Sequence, residues 1–320
     1  MNETRFIVTA VVAAVLVSCS KTEMTCGEEF RDEMTVTAVS SVATKSPLGG
    51  TVFPSGRNMV VSAYSVTTAE DYFTAIPFTY SEEKAAWRAT PKQFWPFNGA
   101  LDLLAYSCSG VDPLSVVWGE GNITNSVTLS MPDNSVIQDD YLVGQKTRAT
   151  KTSASIVFSH PQNQICFTAA SSVPYDAEGN AGISIESITL RDVYNAGTVK
   201  GLRTSEGKVA FEWQTLGAKK DVTFGPEDPV ALGEEHISVS EGFLTPQQYA
   251  TTMTVRYILH NGRDADGRVL DVPMEYTYTP QATLWQAGRK YRYAMNFSLE
   301  GVKVTASLIG WDDVSVPSDI

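Results

Sequence analysis

The sequence predicts an all-β protein built from two antiparallel β-sandwiches in tandem. Three observations lead there. The chain has 320 residues, room for two domains of ordinary size that each bury their own core. Val and Thr are abundant, as in strand-rich chains. Apolar residues also recur with period two in run after run, most cleanly in the last third. Met253, Val255, Tyr257 and Leu259 fall on one face of a first run, and Met274, Tyr276 and Tyr278 on one face of a second. Tyr291, Tyr293, Met295, Phe297 and Leu299 alternate in a third, and Val302, Val304, Ala306 and Leu308 in a fourth. One buried and one wet face per strand is what antiparallel sheets require. Helical periodicity is weak everywhere past the first stretch.

Composition narrows the function. The 36 acidic side chains outnumber the 24 basic ones, for a net charge of −12. Such a surface repels phosphates, so nucleic acid is not an expected partner. Charged residues make up only 19% of the chain, too few for a disordered or coiled-coil protein.

Residues 1–18 read as a secretory signal. Arg5 supplies a minimal charged region, and residues 6–17 form an apolar stretch shorter than the ~18 residues that span a bilayer. Leu16-Val17-Ser18-Cys19 then has the form of a bacterial lipobox. Its cysteine is obligatory because the thiol becomes the thioether that carries a diacylglycerol, while the freed amine accepts a further acyl chain such as palmitate. At ~0.8 kcal/mol per buried CH₂, two or three chains on Cys19 anchor the protein where one would not. Residues 19–33 follow as a solvated tether carrying Lys21, Glu23, Glu28, Glu29, Asp32 and Glu33. The Ser20-Lys21-Thr22-Glu23 run resembles the short signals that send lipoproteins to the cell surface in Bacteroidetes.

The first domain is expected over residues 34–172 and opens on a strand at 34–42. Behind it lie Lys45, Pro47, Gly49, Gly50, Pro54, Gly56 and Arg57. Two prolines and three glycines in so short a stretch mark an exposed irregular loop, the kind of segment that proteases cut. Its two basic residues, Lys45 and Arg57, are the candidate processing positions; Lys45 stands clear of the next strand, whereas Arg57 abuts it. Further strands are expected at 58–66, 101–108, 126–131, 153–159 and 163–169. A run rich in Pro, Gly and polar residues at 171–182 marks the boundary, and the second domain occupies 183–320. Asn261-Gly262 and Asp266-Gly267 supply its clearest hairpin turn.

Chemistry-bearing residues give no catalytic constellation. His160, His236 and His260 lack ligand spacing, and each lies in or beside a strand run. Asp264-Ala265-Asp266-Gly267 matches a fragment of a calcium loop without the distal bidentate glutamate, and reads as a turn. Glu82-Glu83 and Asp139-Asp140 are adjacent pairs; strand neighbours point to opposite faces, so neither builds a two-carboxylate site. They read as solvated. Cys26, Cys108 and Cys166 remain once Cys19 is lipidated. Cys108 and Cys166 read as small buried hydrophobes, with pairing between them left open. No catalytic residue, cofactor or metal site is expected, and the chain is not expected to be an enzyme. An aromatic platform of Phe94, Trp95 and Phe97 offers the alternative of a non-polymerising surface lipoprotein that binds glycan or a host ligand.

Several segments, taken in order, carry a family resemblance. They are the lipobox, Thr44-Lys45-Ser46-Pro47-Leu48, Arg57-Asn58-Met59-Val60-Val61-Ser62-Ala63-Tyr64, and Trp87 followed by Pro91-Lys92-Gln93-Phe94-Trp95-Pro96. Leu101-Asp102-Leu103-Leu104-Ala105-Tyr106, Phe158-Ser159-His160, Ile185-Glu186-Ser187-Ile188-Thr189-Leu190, Trp285-Gln286-Ala287-Gly288 with Tyr291, and Gly310-Trp311 continue the series. In this order they resemble the fimbrillin family of Bacteroidales, lipoprotein pilins related to the major and minor fimbriae of Porphyromonas. The resemblance implies two transthyretin-like sandwiches and a lipid-anchored precursor at the outer membrane. It also implies assembly with other fimbrial subunits by donor-strand exchange. In stalk subunits an arginine- or lysine-specific protease cuts the loop after the first strand, that strand leaves, and a strand from a neighbour fills its groove. The candidate donor is residues 302–309 with Val314 and Val316, interrupted by Asp312, Asp313 and Pro317. Tip and anchor subunits of the family remain alternatives to a stalk role.

Overall fold

The computed structural model describes residues 32–40, 53, 55–107, 115–118, 126–131, 140–173, 181–194, 196–203, 209–226, 228–249 and 252–309. All regular elements among them are strands. In chain order they are β1 (Thr35–Ser40), β2 (Met59–Ser65), β3 (Glu70–Ser81), β4 (Ala86–Ala89), β5 (Leu101–Ser107), β6 (Ser115–Trp118), β7 (Ser126–Met131), β8 (Leu142–Ala149), β9 (Ser155–Ser159), β10 (Asn163–Ser171) and β11 (Gly182–Tyr194). There follow β12 (Gly197–Arg203), β13 (Val209–Leu216), β14 (Lys219–Phe224), β15 (Val230–Ala231), β16 (Ile237–Leu244), β17 (Gln247–Tyr249), β18 (Met253–Arg263), β19 (Val269–Tyr278), β20 (Thr283–Trp285), β21 (Lys290–Ser298) and β22 (Gly301–Ile309). The all-β expectation therefore holds.

The first core is enclosed by a closed seven-stranded sheet in the order β1-β4-β3-β2-β5-β8-β9. This differs from the expected two-sheet sandwich, and β1 is the reason. Thr35 and Val36 pair antiparallel with Arg88 and Trp87 of β4. From Thr37 to Ser40 the strand instead runs parallel to β9, opposite Ser155, Ile156, Val157 and Phe158. Dividing its length between two neighbours lets one short strand close the ring, and closure removes the exposed sheet edges. β5 is buried along its whole length, and its one acid, Asp102, accepts a hydrogen bond from the Arg148 backbone N–H at 2.7 Å.

The second core lies between two sheets, β16-β10-β21-β22 and β14-β11-β18-β19 with β15 beside β11. Phe167 of β10 meets Phe224 of β14 at 5.2 Å between ring centroids, and Tyr257 of β18 meets Phe297 of β21 at 5.1 Å. The alternating runs of the last third supply its faces as expected: Met253, Val255, Tyr293, Met295 and Phe297 are buried. The β18–β19 turn closes at Asp264 to Arg268, with Gly267 at a φ of +81°. Asn261-Gly262 instead lies inside β18, where the register slips between His260 and Arg263.

Two pairings run against the division expected from the sequence. β10, placed in the first domain by a boundary at 171–182, pairs with β16 and β21 and buries Ile165, Phe167 and Ala169 in the second core. β7, also placed in the first domain, pairs with β12, and together with β6 and β13 forms a sheet drawn from both halves. Period-two patterning reports which face of a strand is buried, and carries no information about which strand lies beside it.

Candidate functional site

The seat of β1 is where sequence and structure converge. Met34, Val36 and Ala38 point inward and are 0%, 1% and 9% exposed, while Thr37 faces solvent. Around them stand Trp87, Trp95, Ile156 and Phe158, all buried in the same core. Burying Met34 and Val36 contributes on the order of 1.5–3 kcal/mol each. Backbone bonds complete the grip: Met34 N–H donates to Gln93 O at 2.7 Å, Trp95 N–H to Asp32 O at 3.0 Å, and Thr37 N–H to Ala154 O at 3.0 Å.

Two carboxylates fasten the entrance of the strand. Glu33 Oε1 accepts from Arg88 Nε at 2.8 Å and also pairs with Arg88 Nη2, while its other oxygen lies 3.9 Å from Lys84 Nζ. Asp32 pairs with Lys151 Nζ at 2.7 Å in full view of solvent. The Arg88 hydrogen bonds hold the Glu33 carboxyl below its ordinary 4.5, opposed by partial burial and reinforced by the charges of Arg88, Lys92 and Lys84. A group depressed in this way stabilises the fold fully above its ordinary value and stops doing so as pH falls through the depressed one. Thermal unfolding of wild type and Glu33→Gln is expected to differ at pH 7, to draw together as the pH falls below that of ordinary glutamate, and to converge only below the depressed value. The difference between the two proteins is the readout, because Asp221, lowered by Arg191, titrates in both.

The sequence-predicted site residues fare differently. Cys19 and Lys45 lie outside the described residues, as does Asp139. Arg57 is described and is not a free surface charge: its side chain is 11% exposed, with Nη1 3.1 Å from Asp140 Oδ2 and Nη2 donating to Asp140 O at 2.9 Å. Asp140 Oδ1 in turn lies 2.6 Å from His160 Nδ1. Asp140, read from the sequence as solvated, is thus a buried ion-pair partner. Phe53, which no sequence pattern singled out, is 3% exposed and packs at 5.2 Å on Trp87 and 4.5 Å on Phe158. A cut behind Lys45 leaves Phe53 in the core, whereas a cut behind Arg57 removes it together with the Asp140 partner.

The aromatic platform does not form. Trp95 is 5% exposed and belongs to the first core, leaving Phe97, at 87%, as the exposed ring. The residues of Asp264-Ala265-Asp266-Gly267 make a turn whose Asp264 Oδ1 accepts from the N–H groups of Asp266 and Arg268, at 2.9 and 2.8 Å. Cys166 is buried with its thiol 3.4 Å from Tyr291 O, and burial raises its pKa. No group of three or more metal-ligating side chains occurs among the described residues.

One arrangement was invisible in the sequence. Ser184 Oγ lies 2.9 Å from His260 Nε2, and His260 Nδ1 lies 2.8 Å from Asp271 Oδ1. The order of groups is that of a nucleophile, a base and an orienting acid. Ser184 is only 4% exposed, however, and the three residues sit on the neighbouring strands β11, β18 and β19. The relay ties an edge strand to the sheet rather than presenting a hydroxyl to a substrate.

The described residues thus form an all-β protein, with a closed sheet that has a separately seated first strand and a two-sheet β unit. The comparisons give the family. Residues 44–311 match the fimbrillin-like family, and the chain belongs to it. Among solved structures it is similar to a candidate cell adhesion protein from Bacteroides uniformis (17% identity, TM-score 0.53), with 87% of this chain and 99% of that one covered. A fimbrial protein from Bacteroides vulgatus aligns at 14% identity and a TM-score of 0.52, covering 87% of this chain and 99% of its own. A candidate cell adhesion protein from Bacteroides ovatus aligns at 12% identity and a TM-score of 0.52, covering 88% and 97%. At these identities the likeness is one of fold. No curated protein matches the chain. Family membership makes this a fimbria-related protein of the cell surface.

Proposed function

We propose that the chain is a structural, non-catalytic subunit of a cell-surface fimbrium that contributes to adhesion. It is exported as a lipoprotein on Cys19 and held at the outer membrane until cleavage in the loop behind β1. The first strand then leaves, and a strand of a neighbouring subunit takes its seat.

The observation that carries this reading is the division of β1 between β4 and β9. Taking β1 out breaks a closed sheet at one place and exposes unpaired backbone on both flanks with an apolar slot between them. That is a surface which another strand satisfies by β-augmentation. Lys45 is the better cleavage position, because a protease that reads Arg57 must first pull its guanidinium away from Asp140. A cut there would also leave the aromatic pocket of Trp87 and Phe158 without Phe53. β22, the expected donor, is engaged in its own sheet along its length, from Lys290 opposite Ile309 to Ser298 opposite Gly301. A neighbour that took β22 itself would have to break this pairing.

The test is cleavage of the purified chain behind Lys45. Cleaved protein is expected to form SDS-resistant polymers while the uncut chain stays monomeric; cleaved protein that remains monomeric at high concentration refutes the proposal.

A further inference from the structure

Removing everything up to Lys45 takes away more than an apolar strand. It strips Asp32 and Glu33 from a cluster of cations: Arg88, Lys84 and Lys92 around the position of Glu33, and Lys151 at that of Asp32. Two of them, Arg88 and Lys92, line an open groove beside Glu33 with Tyr80 and Thr90. A purely apolar strand entering the slot would leave those charges unanswered at its mouth.

We infer that residues 312–316 of a second copy of this chain are shaped to fill this seat, their two aspartates replacing Asp32 and Glu33. This deepens the donor-strand reading proposed above and rests on it. Along the seated segment the order is acid, acid, apolar, hydroxyl, apolar: Asp32, Glu33, Met34, Thr35, Val36. The same order recurs at one other place in the chain, Asp312, Asp313, Val314, Ser315, Val316. In that register Val314 and Val316 enter the pockets of Met34 and Val36, which are 0% and 1% exposed. Ser315 takes the outward position of Thr35 opposite Arg88, and the carboxylates of Asp313 and Asp312 meet Arg88 with Lys84, and Lys151. The aspartates that break the apolar alternation of the segment fall where the acceptor holds its cations.

The match ends at a physical limit. Pro317 would stand at Thr37, whose N–H donates to Ala154 O at 3.0 Å, and proline has no N–H to give. Thr37 is also where β1 leaves β4 and turns to β9. The incoming segment thus engages β4 and residues 93–95, the half of the seat that carries the cations. Three residue steps separate Ile309, the last residue of β22, from Asp312, and they span at most about 11 Å. With β22 kept in its own sheet, the first core of one subunit must abut the second core of the next. Such a contact is head-to-tail, the kind that builds an open filament where the rotation between subunits does not close a ring.

The test uses the full chain cleaved behind Lys45 and measures the critical concentration for assembly by sedimentation. The variant neutralises both acids, Asp312→Asn and Asp313→Asn. It is expected to raise that concentration on the order of tenfold at low salt, with less difference at high salt. A chain carrying both Asp313→Arg and Arg88→Glu is expected to assemble better than one with Asp313→Arg alone. If the neutralised chain assembles like wild type, the carboxylates are not read and this inference falls while the donor-strand reading stands. If cleaved wild type itself fails to assemble, both fall.

Discussion

Placing aspartate at Val36 is expected to unseat the first strand without any protease. Val36 is 1% exposed and lies opposite Trp87 on an inward face whose other members are apolar. An unpaired carboxylate forced into such a site costs several kcal/mol. The row it belongs to holds the strand with only two large side chains, Met34 and Val36, at about 1.5–3 kcal/mol each. The balance therefore tips toward release, with β1 left hanging on its tether while the other six strands of the first sheet stay paired with one another. The uncut Val36→Asp chain is expected to bind a hydrophobic dye, to be cut readily within residues 32–52, and to assemble without processing. The outward Thr37→Asp substitution, exposed to solvent, is the control and should leave the strand seated. A Val36→Asp chain that stays monomeric with its first strand protected would show that the seat is held by something other than its apolar row.

Much of this site was legible before the structure. The alternation of Met34, Val36 and Ala38 marks a strand with one buried face, and the Pro- and Gly-rich residues behind it have the composition of a segment open to proteases. Both are local signals, carried by residues within a few positions of each other. What could not be read is everything set by distant partners. Asp32 meets Lys151 and Glu33 meets Arg88 across long stretches of sequence, so the charges of the tether looked merely solvated. Arg57 looked exposed because its loop is rich in Gly and Pro, yet it is paired with Asp140, which His160 contacts in turn. Trp95, offered by the sequence as part of an alternative aromatic platform, is covered because the segment at Asp32 and Met34 lies against it.

The same limit explains the fold. The last third folded as its periodicity indicated, because each of its strands shows one face to one core. β10 lies before the expected boundary, yet its partners, β16 and β21, come from far along the chain. The closure of the first sheet also needed knowledge of a parallel contact between β1 and β9, and no property of either strand alone announces it.

The central claim is that the first strand must leave its seat before subunits join, and a reversible lock tests it most directly. Thr37 and Ser155 are register partners on β1 and β9. Neighbouring strands about 4.8 Å apart lie within the roughly 4.4–6.8 Å that a disulfide spans between Cα atoms. The chain would carry Thr37→Cys and Ser155→Cys with Cys19, Cys26 and Cys108 changed to serine, and would be cleaved behind Lys45. Light scattering is expected to show only monomer while the disulfide is intact and polymer growth once reductant is added. Polymer that grows equally fast with the strand locked in place would contradict the account.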